Sequence, residues 1–196
     1  MKRKLGRPLV LLVFLIVILA MAWVFLRRSE GRRDIVDAET VPALTVTSSS
    51  FPNGGMIPAR FTCDGEDVSP QLSISSPPTR TKSLTLIVDD PDAPAGSFVH
   101  WVAFNLSPGL HDLPEGASAR PETLQGGAQG RNDFDKNGYG GPCPPGNKPH
   151  HYFFRIYALD TFLQLPEGST RSVVAQAAKG HVVAEGKLVG LYTRRQ

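Results

Sequence analysis

Two separated segments of the chain each combine a proline-rich loop with a histidine at the start of an apolar stretch. Residues 89–94 read DDPDAP and lead into His100, whereas residues 140–145 read GGPCPP and lead into His150. Carboxylates in such a loop can fix the orientation and tautomer of a histidine. A protonated imidazole can then donate to an anion from both ring nitrogens. Together the two segments predict a site for a small anion.

The alternation of side chains along these stretches places both histidines among apolar neighbours. His100 is in phase with Phe104, and His150 is in phase with Tyr152, because alternate residues of a strand share one face. His151 points to the opposite face and is predicted to lie at the surface or behind the site. A lone histidine on an apolar face is usually a core residue, so each histidine alone also fits a structural role.

The loop residues beside the histidines have more than one interpretation. Asp90 and Asp92 follow a predicted strand, where binding groups often lie on a rigid support, but aspartates in such a turn also bond to their own backbone. Gly140 and Gly141 lack a Cβ, so their amides could approach a ligand and form an anion-holding nest. Two histidines and a carboxylate could instead hold a metal ion as a facial triad. No Gly-x-Ser-x-Gly or His-Glu-x-x-His motif supports a hydrolase.

Short apolar or alternating runs must position these residues. Strands are predicted at residues 44–47, 83–88, 99–105 and 152–159. The chain contains 19 Gly and 17 Pro, which favours turns over long helices. Both faces of the run 99–105 are largely apolar, so this strand is predicted to be central and covered on both sides. One helix is predicted after Thr170, a suitable N-cap, and it ends before Gly180.

The first 42 residues form an appendage of three parts. Residues 1–8 are basic, residues 9–26 are uncharged and apolar, and residues 27–42 are polar and charged, as in a linker. As a helix the apolar run would span roughly 27 Å at about 1.5 Å per residue, close to the thickness of a bilayer's hydrocarbon core. It therefore predicts a transmembrane anchor, with residues 43–196 as the folded domain.

A cleaved signal peptide is the alternative for this run, because Ala20-Met21-Ala22 fits a small-x-small cleavage site. Basic residues on both sides leave the membrane orientation open. In either case residues 43–196 are expected to be exported, as a periplasmic or extracellular domain on an anchor or as a secreted one.

The charge distribution excludes nucleic acid as a partner. The net charge is +3, but from residue 41 onward 13 Lys and Arg face 14 Asp and Glu. The domain therefore has no basic stripe that could hold a phosphate backbone.

Cys63 and Cys143 are the two cysteines of the chain and have no CxxC spacing, which argues against a redox or zinc module. A pair in an exported domain more often forms one disulfide; two unpaired buried thiols are the alternative. We expect neither a cofactor nor a structural metal.

Taken together, these motifs resemble the phosphatidylethanolamine-binding protein (PEBP) family, in its bacterial Raf-kinase-inhibitor-like branch. The likeness runs from residues 61–65 (FTCDG) and Ser69-Pro70, through both histidine segments, to residues 180–182 (GHV) and 190–192 (GLY). It covers nearly all of the chain after residue 42. The resemblance implies a mainly β fold, an antiparallel β-sandwich with a few peripheral helices.

The resemblance also implies a site and a function. In the family, a small pocket that takes phosphate, acetate or a phospholipid headgroup is lined by the positions that match Asp90, His100, Gly141, Pro142, His150 and Tyr152. Three neighbours are expected to support the pocket from behind, namely Asp92, Trp101 and His151. The expected function is non-enzymatic binding of a small anionic or phosphorylated ligand, with modulation of a partner protein as a further expectation. The alternatives are a protease or kinase inhibitor that acts through a surface loop such as 110–122, and a metal-dependent hydrolase.

Overall fold

The computed structural model of the protein describes residues 41–194. The predicted anchor or signal peptide at residues 9–26 lies outside this range. Within residues 41–194, no helix is both long enough and apolar enough to cross a membrane.

The described part of the chain is built mainly from β-strands. The strands are β1 (Val46–Thr47), β2 (Gly55–Met56), β3 (Leu72–Ile74), β4 (Ser83–Asp90), β5 (Phe98–Leu106), β6 (Asp112–Leu113), β7 (Ala128–Gln129), β8 (His150–Leu159) and β9 (Val182–Tyr192). One α-helix, α1 (Arg171–Ala178), and three 3-10 helices (Ala59–Phe61, Ala117–Ala119 and Pro121–Leu124) join them. A mainly β fold with few helices is thereby confirmed.

The strands form two sheets that share one core. The larger sheet has the order β2-β9-β8-β4-β5-β7, and the smaller has the order β1-β3-β6. All neighbours are antiparallel except β2 and β9. Leu72 and Leu113 of the small sheet belong to the same buried cluster as Leu86, Phe154 and Leu188 of the large sheet. The sheets therefore pack face to face, as in a β-sandwich.

Helix α1 packs against β5 on the side of the large sheet that faces away from the small one. Its Val174 and Ala178 are fully buried and lie outside the core shared by the two sheets. The helix follows Thr170, as predicted, although the Thr170 side chain makes no capping hydrogen bond to a helix amide. Gly180 follows the helix with φ of 81°, a left-handed conformation that glycine adopts at low cost.

The predicted strands at 83–88, 99–105 and 152–159 fall within β4, β5 and β8, but the predicted central position of 99–105 is wrong. Strands β4 and β8 occupy the centre, and β5 is followed only by the two-residue β7. The expectation that both of its faces are covered is correct, since residues 99–104 are all buried. Every residue of β4 is buried, which places its last carboxylates, Asp89 and Asp90, inside the protein.

Candidate functional site

His100 occupies an irregularity in the pairing of β4 with β5. The partners of Val88 and Asp89 are Trp101 and Val99, so the register skips His100. A bulge of this kind leaves one residue unpaired and can re-aim its side chain.

The bulge changes the surroundings that the sequence predicted for His100. Simple alternation placed His100 on the same face of β5 as Phe104. Phe104 does not belong to the core that lies between the two sheets. In the structure the ring of His100 instead packs edge-on against Tyr152 of β8, with ring centroids 5.2 Å apart. The predicted phase of His100 is therefore wrong, whereas Tyr152 has its predicted phase, together with Phe154 and Ile156.

A cavity of about 230 Å³ lies where β4 and β8 meet the loops at this end of the sheet. Its polar lining consists of Asp90, His100 and Tyr152. The rest of its lining is Ala93, Pro94, Phe98, Phe134, Cys143, Pro144 and Pro145. The cavity is slightly smaller than most small-molecule pockets, and no Lys or Arg among residues 41–194 lines it.

Tyr152 contributes a buried hydroxyl that makes no hydrogen bond of normal geometry to another described residue, although Asp90 lies near enough for a weak one. Burial raises the pKa of Tyr152 far above its usual value, and Asp90 raises it further through its negative charge and a weak hydrogen bond. The hydroxyl therefore keeps its proton. A buried donor without a well-formed hydrogen bond is costly, so the Tyr152 hydroxyl is available to bond to a ligand.

The backbone carbonyl of Gly140 fixes the tautomer of His100. It lies 2.7 Å from Nδ1, and because a carbonyl only accepts, Nδ1 must donate. Burial lowers the pKa of His100 and outweighs the opposing effects of this bond and of Asp90. His100 is therefore neutral near pH 7, with Nε2 left as an acceptor, and the predicted imidazolium donor is not supported at this position.

Asp90 connects His150 to the cavity. Its Oδ2 lies 2.7 Å from His150 Nδ1, and its Oδ1 accepts from the amide of Asp92 at 2.8 Å. The side chain of Asp90 is buried, and so is that of His150, which is absent from the cavity lining. The two predicted histidines thus reach the site differently: His100 forms part of its wall, and His150 orients Asp90.

The residues expected to support the site lie farther from it. Asp92 Oδ2 accepts from the amide and from Nδ1 of His151, at 2.9 and 2.7 Å. Partial burial acts to raise the pKa of Asp92, but these bonds from His151 outweigh it, so the pKa is lowered. Both side chains are about half exposed. Trp101 is buried in the core, where its Nε1 donates to Gln129 at 3.0 Å.

The predicted nest of glycine amides is not available to a ligand. The amide of Gly140 donates to the carbonyl of His100 at 2.9 Å, and that of Gly141 donates to Asp67 Oδ1 at 2.6 Å. A Cβ on Gly141 would lie 2.5 Å from the carbonyl oxygen of Phe61. Gly141 therefore permits close packing between two loops, and neither Gly141 nor Pro142 lines the cavity.

A disulfide between Cys63 and Cys143 ties the same two loops together, with Cα atoms 5.5 Å apart. This confirms the predicted bridge. The amide of Cys63 also donates to the carbonyl of Pro142 at 3.2 Å. Because Cys143 lines the cavity, the bridge braces one of its walls.

Sequence reasoning missed the aromatic part of the wall, Phe98 and Phe134. Phe98 pairs with Asp90 across β4 and β5, so its position depends on the bulge. Phe134 lies in the polar stretch 132–138 (NDFDKNG). The one sequence feature that could have pointed to it as a site residue is that a single aromatic side chain interrupts this polar loop.

The facial metal triad considered from the sequence is not formed. Among residues 41–194, no group of three or more His, Cys, Asp or Glu side chains is arranged to hold a metal ion.

Comparison with known proteins places this architecture in a family. The family model for phosphatidylethanolamine-binding protein matches residues 47–193. A UPF0098 protein of Pyrococcus abyssi is 49% identical over 151 residues, which cover 76% of this chain and 84% of the relative.

Two solved structures are also similar. A phosphatidylethanolamine-binding protein homologue from Chlamydia trachomatis has a TM-score of 0.71 and 40% identity, over 78% of this chain and 99% of the other. YbcL of E. coli, described as a new member of the mammalian PEBP family, has a TM-score of 0.72 and 33% identity over the same shares. This chain therefore belongs to the phosphatidylethanolamine-binding protein family, a family of ligand-binding proteins.

Proposed function

We propose that the chain is a non-catalytic binding protein whose cavity takes the acidic head of a small phosphorylated molecule in a form that carries one proton. The observation that carries this proposal is the make-up of the polar lining. It offers one donor that makes no hydrogen bond of normal geometry within the described residues, the Tyr152 hydroxyl, and two acceptors, Asp90 and neutral His100.

The charge of the lining decides which form of the ligand fits. Asp90 is buried, and no Lys or Arg of the described part of the chain stands in the wall to offset a second negative charge. A fully ionised phosphate would therefore have no proton that it could donate to the carboxylate of Asp90. A phosphate monoester with one P–OH can donate to Asp90 or to His100 Nε2, while another of its oxygens accepts from Tyr152.

The affinity for the ligand should depend on pH because the phosphate group, and not a histidine, gains or loses a proton. The second pKa of a phosphate monoester is about 6, so its singly protonated form falls about 50-fold between about pH 6 and pH 8. The affinity of methyl phosphate, measured by calorimetry, should weaken by a similar factor. Methyl sulfate has the same shape but no proton to donate, and it should bind weakly at both pH values.

Because His150 contacts Asp90, the variant His150→Asn provides the control for the source of this dependence. Asparagine keeps a donor near Asp90 but does not titrate. The pH dependence should persist in this variant if the ligand supplies the proton. A flat profile in the variant would assign the titration to His150, and equal affinity for methyl sulfate and methyl phosphate would overturn the proposal.

The variant Tyr152→Phe tests the donor directly. A hydrogen bond to a charged group contributes about 1.5–3 kcal/mol, so methyl phosphate at pH 6 should bind roughly 10- to 150-fold more weakly. Because the hydroxyl makes no hydrogen bond of normal geometry among the described residues, the melting temperature should change little. Loss of affinity together with a large loss of stability would point to a structural role instead.

We also propose that the domain lies outside the cytoplasm. The disulfide supports this, since such bonds persist in oxidising compartments. Modulation of a partner protein, through the cavity or through the loop 110–122, stays a prediction.

A further inference from the structure

Phe134 is a large apolar side chain that is 38% exposed and also lines the cavity. Exposure of a phenyl ring has a hydrophobic cost. Because the ring of Phe134 lies at the cavity wall, a ligand in the cavity could cover it and remove this cost.

The loop that carries Phe134 is held rigidly by side-chain hydrogen bonds. Asn132 Oδ1 accepts from the amides of Phe134 and Lys136, at 3.0 and 3.1 Å, and Asn132 Nδ2 donates to the carbonyl of Gly138 at 2.9 Å. Asn132 itself is buried. The exposed ring is thus presented by a fixed turn.

The ring of Phe134 is seated among other wall groups. Its centroid lies 4.8 Å from that of Phe98 and 5.5 Å from that of His100, both in edge-on geometry. A Cβ on Gly140 would lie 2.5 Å from Phe134 Cδ2, so glycine is needed there for the ring to approach. The aromatic wall therefore adjoins the polar lining at His100.

The cavity has more room than an acidic head needs. Its volume of about 230 Å³ corresponds to roughly seven or eight waters at about 30 Å³ each, whereas methyl phosphate has only six non-hydrogen atoms. The remaining space is bounded mainly by apolar side chains.

We infer that the natural ligand is an organic phosphate monoester with an apolar substituent about the size of an aromatic ring, and that Phe134 is the residue that selects this substituent. The inference rests on the proposed function, because the head must bind at Tyr152, Asp90 and His100 for the substituent to reach Phe134. Edge-on contact between aromatic rings adds to the gain from burial alone, which favours an aromatic substituent.

The test compares phenyl phosphate with methyl phosphate by calorimetry at pH 6, using the full-length protein. The native protein should bind phenyl phosphate at least tenfold more tightly. In Phe134→Ala this preference should fall to about twofold or less, because the variant should lose more affinity for phenyl phosphate than for methyl phosphate. Phe134→Leu, which keeps an apolar side chain, should give an intermediate preference. Phe162→Ala is the matched control, because Phe162 is 52% exposed and does not line the cavity.

The outcomes separate this inference from the function on which it rests. If methyl phosphate binds but Phe134→Ala keeps the full preference for phenyl phosphate, Phe134 does not select the ligand and the inference is wrong. Tighter binding of phosphocholine than of phenyl phosphate would also overturn it, because the wall would then recognise a cation. If no phosphate monoester binds at all, the proposed function fails and the inference fails with it.

Discussion

Removal of the Cys63–Cys143 bridge by a double substitution to alanine should lower the stability of the domain substantially. The cysteines are 80 residues apart in sequence, and the chain-entropy relation gives about 4.5 kcal/mol at 25 °C for a closed loop of that length. For a domain of this size, each kcal/mol corresponds to a change of about 2–4 °C in melting temperature. The expected decrease is therefore about 9–18 °C.

The structure indicates that the folded state should survive this change. The loops that the bridge joins are also linked by the bond from the Tyr139 hydroxyl to the carbonyl of Phe61, at 2.7 Å. A second link runs from the Gly141 amide to Asp67. Because these bonds remain, the main effect of the missing bridge is to give the unfolded chain more freedom.

Urea unfolding followed by the fluorescence of the buried Trp101 would measure the change. Wild-type protein with its disulfide reduced is the matched control, and it should unfold at nearly the same urea concentration as the double variant. A loss of less than about 1 kcal/mol in both proteins would refute the chain-entropy reasoning. If the double variant loses stability but the reduced wild-type protein does not, the effect belongs to the alanine side chains and not to the missing bridge.

Two further predictions concern a buried ion pair and the N-terminal run. Asp89 is 3% exposed and pairs with Arg155, so Arg155→Ala should cost about 3–5 kcal/mol in urea unfolding. His181→Ala, which removes an exposed partner of Asp160, should cost no more than about 1 kcal/mol; equal costs would contradict the argument from burial. The apolar run 9–26 predicts that the full-length protein stays in the membrane fraction after carbonate extraction. A soluble, N-terminally shortened protein would instead indicate a cleaved signal peptide.

Much of the sheet could be predicted from local pattern, because β4, β5 and β8 are long apolar runs between turn-rich segments. Strand β9 was missed, since Gly186 and Gly190 interrupt its pattern. Both glycines are required by packing: a Cβ would lie 2.3 Å from the carbonyl oxygen of Leu44 at Gly186 and 2.5 Å from Ile57 at Gly190. Contacts between distant segments determine these residues, so a local pattern cannot explain them.

The position of His100 shows a second limit of sequence patterns. The regular alternation of β5 assigns it to the wrong neighbours, because the bulge depends on how β5 pairs with Val88 and Asp89 of β4. Asp90 and Tyr152 could be placed more reliably because they follow the regular phase of their own strands. A motif can therefore identify the right residues for a site while the pairing of strands decides which of them line it.

Gly140 and Gly141 also show that packing between distant segments decides which groups of a motif can reach a ligand. The absence of a Cβ suggested contact with a ligand, but Gly140 makes room for the ring of Phe134, and Gly141 makes room for the loop at Phe61. With both amides bonded within the protein, neither is available to a ligand, and the proposed recognition relies on side chains of the lining. Those side chains comprise one donor and two acceptors, and such a set is complemented only by a ligand that both accepts and donates. The protonation state of the ligand, rather than the charge of a histidine, should therefore control binding.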